Sequence, residues 1–363
     1  MQLFINTRGS MLKKAGERFV VSSNGRQHEF SAKKLSSLVV STSVCLTSDA
    51  VQLANEHKID IVFLNKSGFP ASRVWQTRMG STANIRIAQL HASLGPTGLA
   101  YAHGWILKKL DNQITFLTEL KQRRLAKAES LLGSLRQLNE NCARLKDLVL
   151  EKTDFDSQQQ RNDLCASIRG LEGTSGRIYF RAISELLPDK HQFSTRSRRP
   201  AHDAFNATLN YSYGVLYSRI EKALILAGLD PFIGFFHANR YGQPSLVFDL
   251  IEPFRIIGER TTTLLFTGKR VKDDWFRDVP GGVELAPDGR AALIESLNSR
   301  LEKTVRFPTQ KQPAKPGPPK TRNIKLRETI RHEAHQLANG LLNRNDLPSV
   351  INTNDLFGEP AVK

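Results

Sequence analysis

Cysteine is scarce: Cys45, Cys142 and Cys165 are the only three in 363 residues, far apart and odd in number. No CxxC spacing occurs, so the chain offers neither a thiolate zinc site nor a disulfide framework. Long apolar runs are missing as well. No stretch approaches the ~18 residues that a membrane helix needs, and the opening MQLFINTRGS lacks the basic-then-apolar order of a secretory leader. These absences lead us to expect a soluble protein of the reducing cytoplasm, with no membrane partner. Acidic residues are also in short supply. With 35 Asp and Glu against 52 Lys and Arg, the formal net charge is +17, which favours a polyanionic partner, nucleic acid first of all.

What is present falls into two kinds of sequence. MQLFINT, RFVVSS and LSSLVVST carry the β-branched and aromatic residues of strands, and Gly16 and Asn24-Gly25 mark turns between them. TSDAVQLANEHK predicts a short helix capped by Thr47 or Ser48, leading to the buried-strand run IDIVFL and a last strand at FPASRVW. SLGPTG, at 93–98, breaks the pattern. Beyond it strand signals almost vanish, and Trp105, Ile106, Leu110, Ile114 and Leu117 recur at helical spacing, which reads as ordinary core. Helices are expected at 162–187, 203–228, 245–257 and 289–303. The expected class is α+β and multidomain: a small N-terminal β-rich domain (1–92), a linker (93–98) and a larger all-α C-terminal domain (99–306). A Pro/Lys-rich linker (307–320), a basic helix (321–344) and a flexible tail (345–363) follow.

The segment 235–255, FFHANRYGQPSLVFDLIEPFR, sets Asp249 and Glu252 among Leu246, Val247, Phe248, Leu250, Ile251 and Phe254. Three residues apart, the two acids lie side by side on a helix, for which Ser245 is a candidate N-cap and Pro253 a kink. Apolar residues on every side predict an interior helix. Two buried like charges repel, and each loses several kcal/mol of hydration. A positive group must accompany them, or one acid must stay protonated. An ion pair with Arg255 or Arg240 meets that demand. So does a divalent ion held with His237, because carboxylates plus one imidazole suit Mg²⁺ or Mn²⁺ better than zinc.

Glu172, in IRGLEGTSGRIYF, is the candidate for a further acid. Gly170, Gly173 and Gly176 beside it open a groove on a helix, to another helix or to a phosphate backbone. Arg196, Arg198 and Arg199 in STRSRRPAHD precede Tyr211, Tyr213 and Tyr217. Such arginines contact phosphates, and such tyrosines either stack on bases or belong to the core. The candidate DNA contacts are therefore Arg196, Arg198, Arg199, Tyr211, Arg240 and Arg255. RHEAH, at 331–335, lacks the HExxH spacing of a zinc helix and reads as a solvated helix face.

Taken in order, IRGLEGTSGRIYFRA (168–182), RSRRPAHDAFNATLNYSYGVLY (196–217), AGLDPFIGFFHANRYGQPSL (227–246) and VFDLIEPFR (247–255) form a run of motifs. The run resembles that of the CRISPR-associated integrase family, the "Cas one" proteins of spacer acquisition, and LANEHKIDIVFLNKSGFPASRVW resembles that family's N-terminal domain. The resemblance implies a dimerising N-terminal domain and one metal site in the helical domain. Glu172, His237 and Glu252 are then the ligands of Mg²⁺ or Mn²⁺, and Asp249 is a further catalytic acid beside them. It also implies phosphoryl transfer on double-stranded DNA, joining the 3′-hydroxyl of a short donor (spacer) to the CRISPR repeat. A homodimer and a small CRISPR adaptation partner ("Cas two") are the implied assembly. A non-catalytic DNA-binding subunit and a transposon-encoded integrase of the same family are the alternatives. Ala201 stands where the family has a second proline, and Glu259 where an aspartate is more usual.

Overall fold

A computed structural model of the chain describes residues 2–65, 68, 70–74, 83–123, 128–148, 158–237, 241–308 and 321–343. Strands β1 (Gln2–Ile5), β2 (Met11–Ala15), β3 (Arg18–Ser23), β4 (Arg26–Ser31), β5 (Ser37–Val40) and β6 (Cys45–Leu46) precede helix α1 (Ser48–Glu56); β7 (Asp60–Leu64) and β8 (Pro70–Val74) follow it. They form two sheets, ordered β1-β5-β7-β8 and β4-β3-β2-β6. β1, β5 and β7 run parallel and β8 is antiparallel to β7, so α1 supplies the crossover that a parallel pair requires. Thr47 Oγ1 caps α1 by accepting the Ala50 N–H at 3.3 Å, as the sequence predicts. Asn24 and Gly25 turn β3 into β4 with φ of 50° and 74°, the left-handed pair of a tight hairpin. Leu12, Phe19, Leu38, Leu53 and Ile61 join both sheets and α1 in one core.

The rest is mostly helical. α2 (Ala83–Leu94), α3 (Pro96–Arg123), α4 (Ala128–Asp147), α5 (Gln158–Leu186) and α6 (Ala204–Leu226) come first. α2 lies upstream of the 93–98 break, so the helical part starts earlier than that break in composition. Gly95-Pro96 separates two helices, and proline is well tolerated as the first residue of α3. Every residue from 205 to 218 of α6 is buried, which makes α6 the central element.

Two departures from the expected layout follow. The helix expected over 245–257 is broken into α7 (Ser245–Leu250), a single 3₁₀ turn (Glu252–Phe254) and α8 (Arg255–Thr267). Pro253 has no N–H to donate, and it disfavours helical backbone at Glu252 before it. Ser245 is the first residue of α7 and does not cap it; Pro244 holds the N-cap position. The second departure is strand in the part expected to be all helical. β9 (Phe276–Val279) and β10 (Gly282–Leu285) form a hairpin before α9 (Pro287–Leu301). β11 (Thr304–Pro308) pairs antiparallel with β12 (Thr321–Lys325) before α10 (Leu326–Leu342), so strand runs into the edge of the predicted 307–320 linker. These strands are short, and FRDV and TRNIK have too little apolar alternation to signal strand without their partners. Residues 309–320 and 344–363 lie outside the described residues. Among the described residues, no helix is long and apolar enough to cross a membrane.

The first sheet is fastened to α6 by a buried ionic node. Asp60, only 1% exposed, accepts from Arg73 Nη1 at 2.5 Å and from Lys222 Nζ at 2.6 Å. Arg73 Nη2 reaches Glu221 at 2.5 Å. Nearby, the backbone after β7 presses directly on α6: a Cβ added to Gly214 would lie 2.1 Å from the Gly68 carbonyl oxygen. Removing Asp60 would take away the carboxylate that Lys222 and Arg73 share, leaving Glu221 as the acid on Arg73. We expect Asp60→Ala to cost about 3–5 kcal/mol, read as a lowered urea midpoint with little change in slope.

Candidate active site

Three separate elements deliver charge to one buried point. α3 brings Lys109, α5 brings Glu172, and the 3₁₀ turn at Pro253 brings Glu252. Lys109 Nζ lies 2.5 Å from Glu172 Oε1 and 2.7 Å from Glu252 Oε2. Arg255, the first residue of α8, closes on the other oxygen of Glu252 through Nε at 2.9 Å. Its guanidinium also lies over the Tyr213 ring, 4.7 Å from the centroid. Asn112 Nδ2 donates to the Pro253 carbonyl at 2.9 Å and ties the turn to α3. Lys109 and Glu252 are 7% and 5% exposed, whereas Glu172 is partly exposed. The charge pair sits at the inner end of an opening to solvent.

Asp249 does something different. It is 2% exposed and turns away from Glu252 toward the loop that follows α6. Oδ2 accepts the N–H groups of Phe235 at 2.6 Å and Phe236 at 3.1 Å. Oδ1 accepts the N–H of His237 at 3.0 Å and lies 2.6 Å from its Nδ1. With Nδ1–H donated to a carboxylate, the ring presents Nε2 as a lone-pair nitrogen. The loop is pressed close: a Cβ on Gly234 would lie 2.6 Å from Ser245 Cβ and 3.0 Å from Asp249 Oδ2. Asp249 and Glu252 therefore do not share a face. Asp249 orients His237, and Glu252 faces the cations.

Lysine at position 109 was not singled out from the sequence, where the surrounding stripe reads as core. The signal was there: Lys109 and Gln113 fall at i+4 and i+8 from Trp105, on the buried face of α3. Gln113 Nε2 approaches both oxygens of Glu259 at 3.3 Å, and Tyr213 donates to Glu259 at 2.8 Å. Glu259 is thus a third buried acid, held by hydrogen bonds.

Of the candidate DNA contacts, Arg198 and Arg199 are exposed and line a cavity of about 450 Å³ with Arg277. Arg196 is anchored by Asn206 and Asn210 and lies 5.1 Å from the Phe180 centroid. Arg255 is consumed by Glu252, and Tyr211 is 3% exposed and belongs to the core. Arg240 lies outside the described residues. A further cavity of about 380 Å³ runs from Lys109 and Glu172 past Gly173 and Gly176 to Arg196 and Glu259. Nothing stands within 4 Å of a Cβ added to either glycine, so this face of α5 is open.

Electrostatically the site is self-consistent. Burial alone pushes the Glu252 pKa up, but Arg255 and then Lys109 outweigh it and hold the carboxyl down to about 2. Lys109 moves the other way: burial disfavours its charge, yet Glu252 and Glu172 raise it above the ordinary lysine value. Among the described residues, no group of three His, Cys, Asp or Glu is gathered closely enough to hold a metal ion; Lys109 stands between the two glutamates instead. The donor chemistry nonetheless suits a hard divalent ion. Glu252 Oε2 is buried and, despite its ionic contact with Lys109, is not aligned to accept a hydrogen bond. Glu172 faces the same ammonium, and an ion there would require Lys109 to withdraw.

Because the folded pKa of Glu252 is depressed, its ionic contribution is complete above about pH 4.5 and fades as the pH falls toward 2. That contribution is on the order of 3 kcal/mol. Arg255→Gln should move the acid-unfolding transition to higher pH, measured by circular dichroism along a pH series.

Residues 3–299 match the family described as CRISPR associated protein Cas1. The CRISPR-associated endonuclease Cas1 3 of Thermus thermophilus is 30% identical over 273 residues, 75% of each chain. Two solved structures share the fold. A Cas1 protein from Thermotoga maritima superposes with a TM-score of 0.72 at 17% identity, over 95% of this chain and 98% of that one. A casposase bound to an integration product gives 0.71 at 22% identity, over 98% and 97%. With a family match running from the first strand into α9, this chain belongs to the Cas1 family.

Proposed function

We propose that this protein is a divalent-metal-dependent DNA integrase and endonuclease of CRISPR adaptation. The observation that carries the reading is the convergence of Glu172 and Glu252 on one cation position, at the edge of an open glycine face, in a chain of net charge +17. Glu172, Glu252 and the free Nε2 of His237 are the groups that would hold Mg²⁺ or Mn²⁺. When bound, such an ion polarises the scissile phosphate and stabilises charge on the oxygens that change partners.

The chain's own residues set up the rest. Arg198 and Arg199 hold DNA phosphates at the rim. The 3′-hydroxyl oxygen of the donor attacks a repeat phosphorus; the new P–O bond forms as the bond to the old 3′-oxygen breaks, and that oxygen gains a proton. His237, oriented by Asp249 through Nδ1, has one lone-pair nitrogen, Nε2, which either serves the ion or relays the hydroxyl's proton, not both at once. Burial of Glu252 and Phe254 keeps the local dielectric low and strengthens each charge contact. Water in place of the hydroxyl gives nuclease activity. The protein acts in the cytoplasm as a homodimer paired through its strand-rich domain, with double-stranded DNA and a small "Cas two" partner.

One observation favours a second reading. Lys109 and Arg255 already balance Glu252, as they would in a non-catalytic DNA-binding subunit. The likeness to a casposase keeps a transposon-encoded integrase within the same class. An integration assay on supercoiled DNA, with and without the partner and with EDTA as control, separates the readings. We expect Glu172→Gln, His237→Ala and Glu252→Gln each to reduce strand joining by at least about a hundredfold while duplex binding persists. Joining at wild-type rates in these variants would take the reaction away from this site, and no joining by the wild type, with or without the partner, would leave the binding subunit as the answer.

A further inference from the structure

A cavity of about 320 Å³ lies where β1, β5, α6 and α10 meet. It shares no lining residue with the cavity at Glu172. Three of its lining residues each carry a buried polar atom with no hydrogen-bond partner among the described residues: Arg219 Nε, Ser37 Oγ and Gln2 Oε1. Ser37 is only 4% exposed. Arg219 Nη2 donates to Asn298 Oδ1 at 2.8 Å, a neutral partner. Arg73 and Arg255, by contrast, each face a carboxylate. Burial, and then Arg327, bring the Arg219 guanidinium down to about 10, whereas Glu252 raises Arg255 well above its ordinary value against the pull of burial. Lys222, Arg327 and exposed Arg331 also line the cavity with Glu328, but Lys222 is paired with Asp60 and Arg327 with Glu302, so Arg219 is the buried cation there that no carboxylate faces among the described residues.

Orphaned donors, one of them on a buried arginine without a carboxylate partner among the described residues, call for an anion with several acceptor oxygens. We propose that this cavity binds a phosphate group, with Arg219 Nε–H and Ser37 Oγ–H as donors and the Gln2 amide turned to present its Nε2. The volume exceeds that of one phosphate, so the ligand is a phosphate ester: either a small phosphorylated molecule or a phosphodiester of a DNA backbone. Bound there, it bridges the first sheet, α6 and α10 and adds to the fastening made by Asp60.

The test uses the full chain at fixed ionic strength, with chloride exchanged for inorganic phosphate or pyrophosphate. We expect a saturable rise in the melting temperature and a measurable heat of binding for the wild type. Arg219→Gln should weaken that binding at least about tenfold, and Ser37→Ala several-fold. In phosphate-free buffer Arg219→Gln should melt no lower than wild type, because it removes an unmatched buried charge. A labelled DNA duplex identifies the source. If Arg219→Gln weakens duplex binding and lowers its salt dependence by about one phosphate contact, the ligand is DNA. If duplex binding is unchanged while the phosphate response is lost, the ligand is a free phosphate ester. Equal phosphate responses in wild type and Arg219→Gln, or no response in either with unchanged duplex binding, would overturn the proposal.

Discussion

A carboxylate buried as deeply as Glu252 can stay ionised only beside fixed positive charge, and the helical part is arranged to supply it twice. Arg255 comes from the next residues of the same chain segment, so its partnership is local. Lys109 comes from α3, more than a hundred residues upstream, and brings Glu172 of α5 into the same contact. This one compensation fixes the distance between α3, α5 and the 252–254 turn. It also explains why a lysine is tolerated on a face otherwise packed with Trp105, Ile106 and Leu110. Breaking a buried pair leaves its other member uncompensated, which is far costlier than never having built the pair.

Asp249 and Glu252 look alike in sequence and do unlike work because Pro253 ends the helix between their roles. Had α7 continued, the two would have shared a face and repelled. The break rotates Glu252 toward the cations and leaves Asp249 to collect three backbone N–H groups and one imidazole. One acid thus neutralises charge while the other fixes the orientation of a neighbouring side chain. His237 owes its orientation to a carboxylate sealed from solvent.

Much of this was legible beforehand. β-branched runs and Asn24-Gly25 gave the first sheets, Thr47 the cap of α1, and the isolated acids of 247–255 the need for a buried cation. The identity of that cation was not legible, because Lys109 is distant in sequence and its neighbours read as plain core. The strand pairs 276–279 with 282–285 and 304–308 with 321–325 escaped for a different reason. Their strands are short and gain stability from the strand paired with them, so no single segment carries the pattern. Tyr211 illustrates an ambiguity that only packing resolves: the same spacing serves base stacking and core, and here Gly68 lies against its ring.

The bare backbone contact between Gly68 and Gly214 bears on how such chains can be recombined. Neither position admits a methyl group without prising the first sheet off the central helix. A hybrid that takes its strand-rich part from one relative and its helices from another must therefore inherit both glycines together. Exchange is policed at this joint by the absence of side chains.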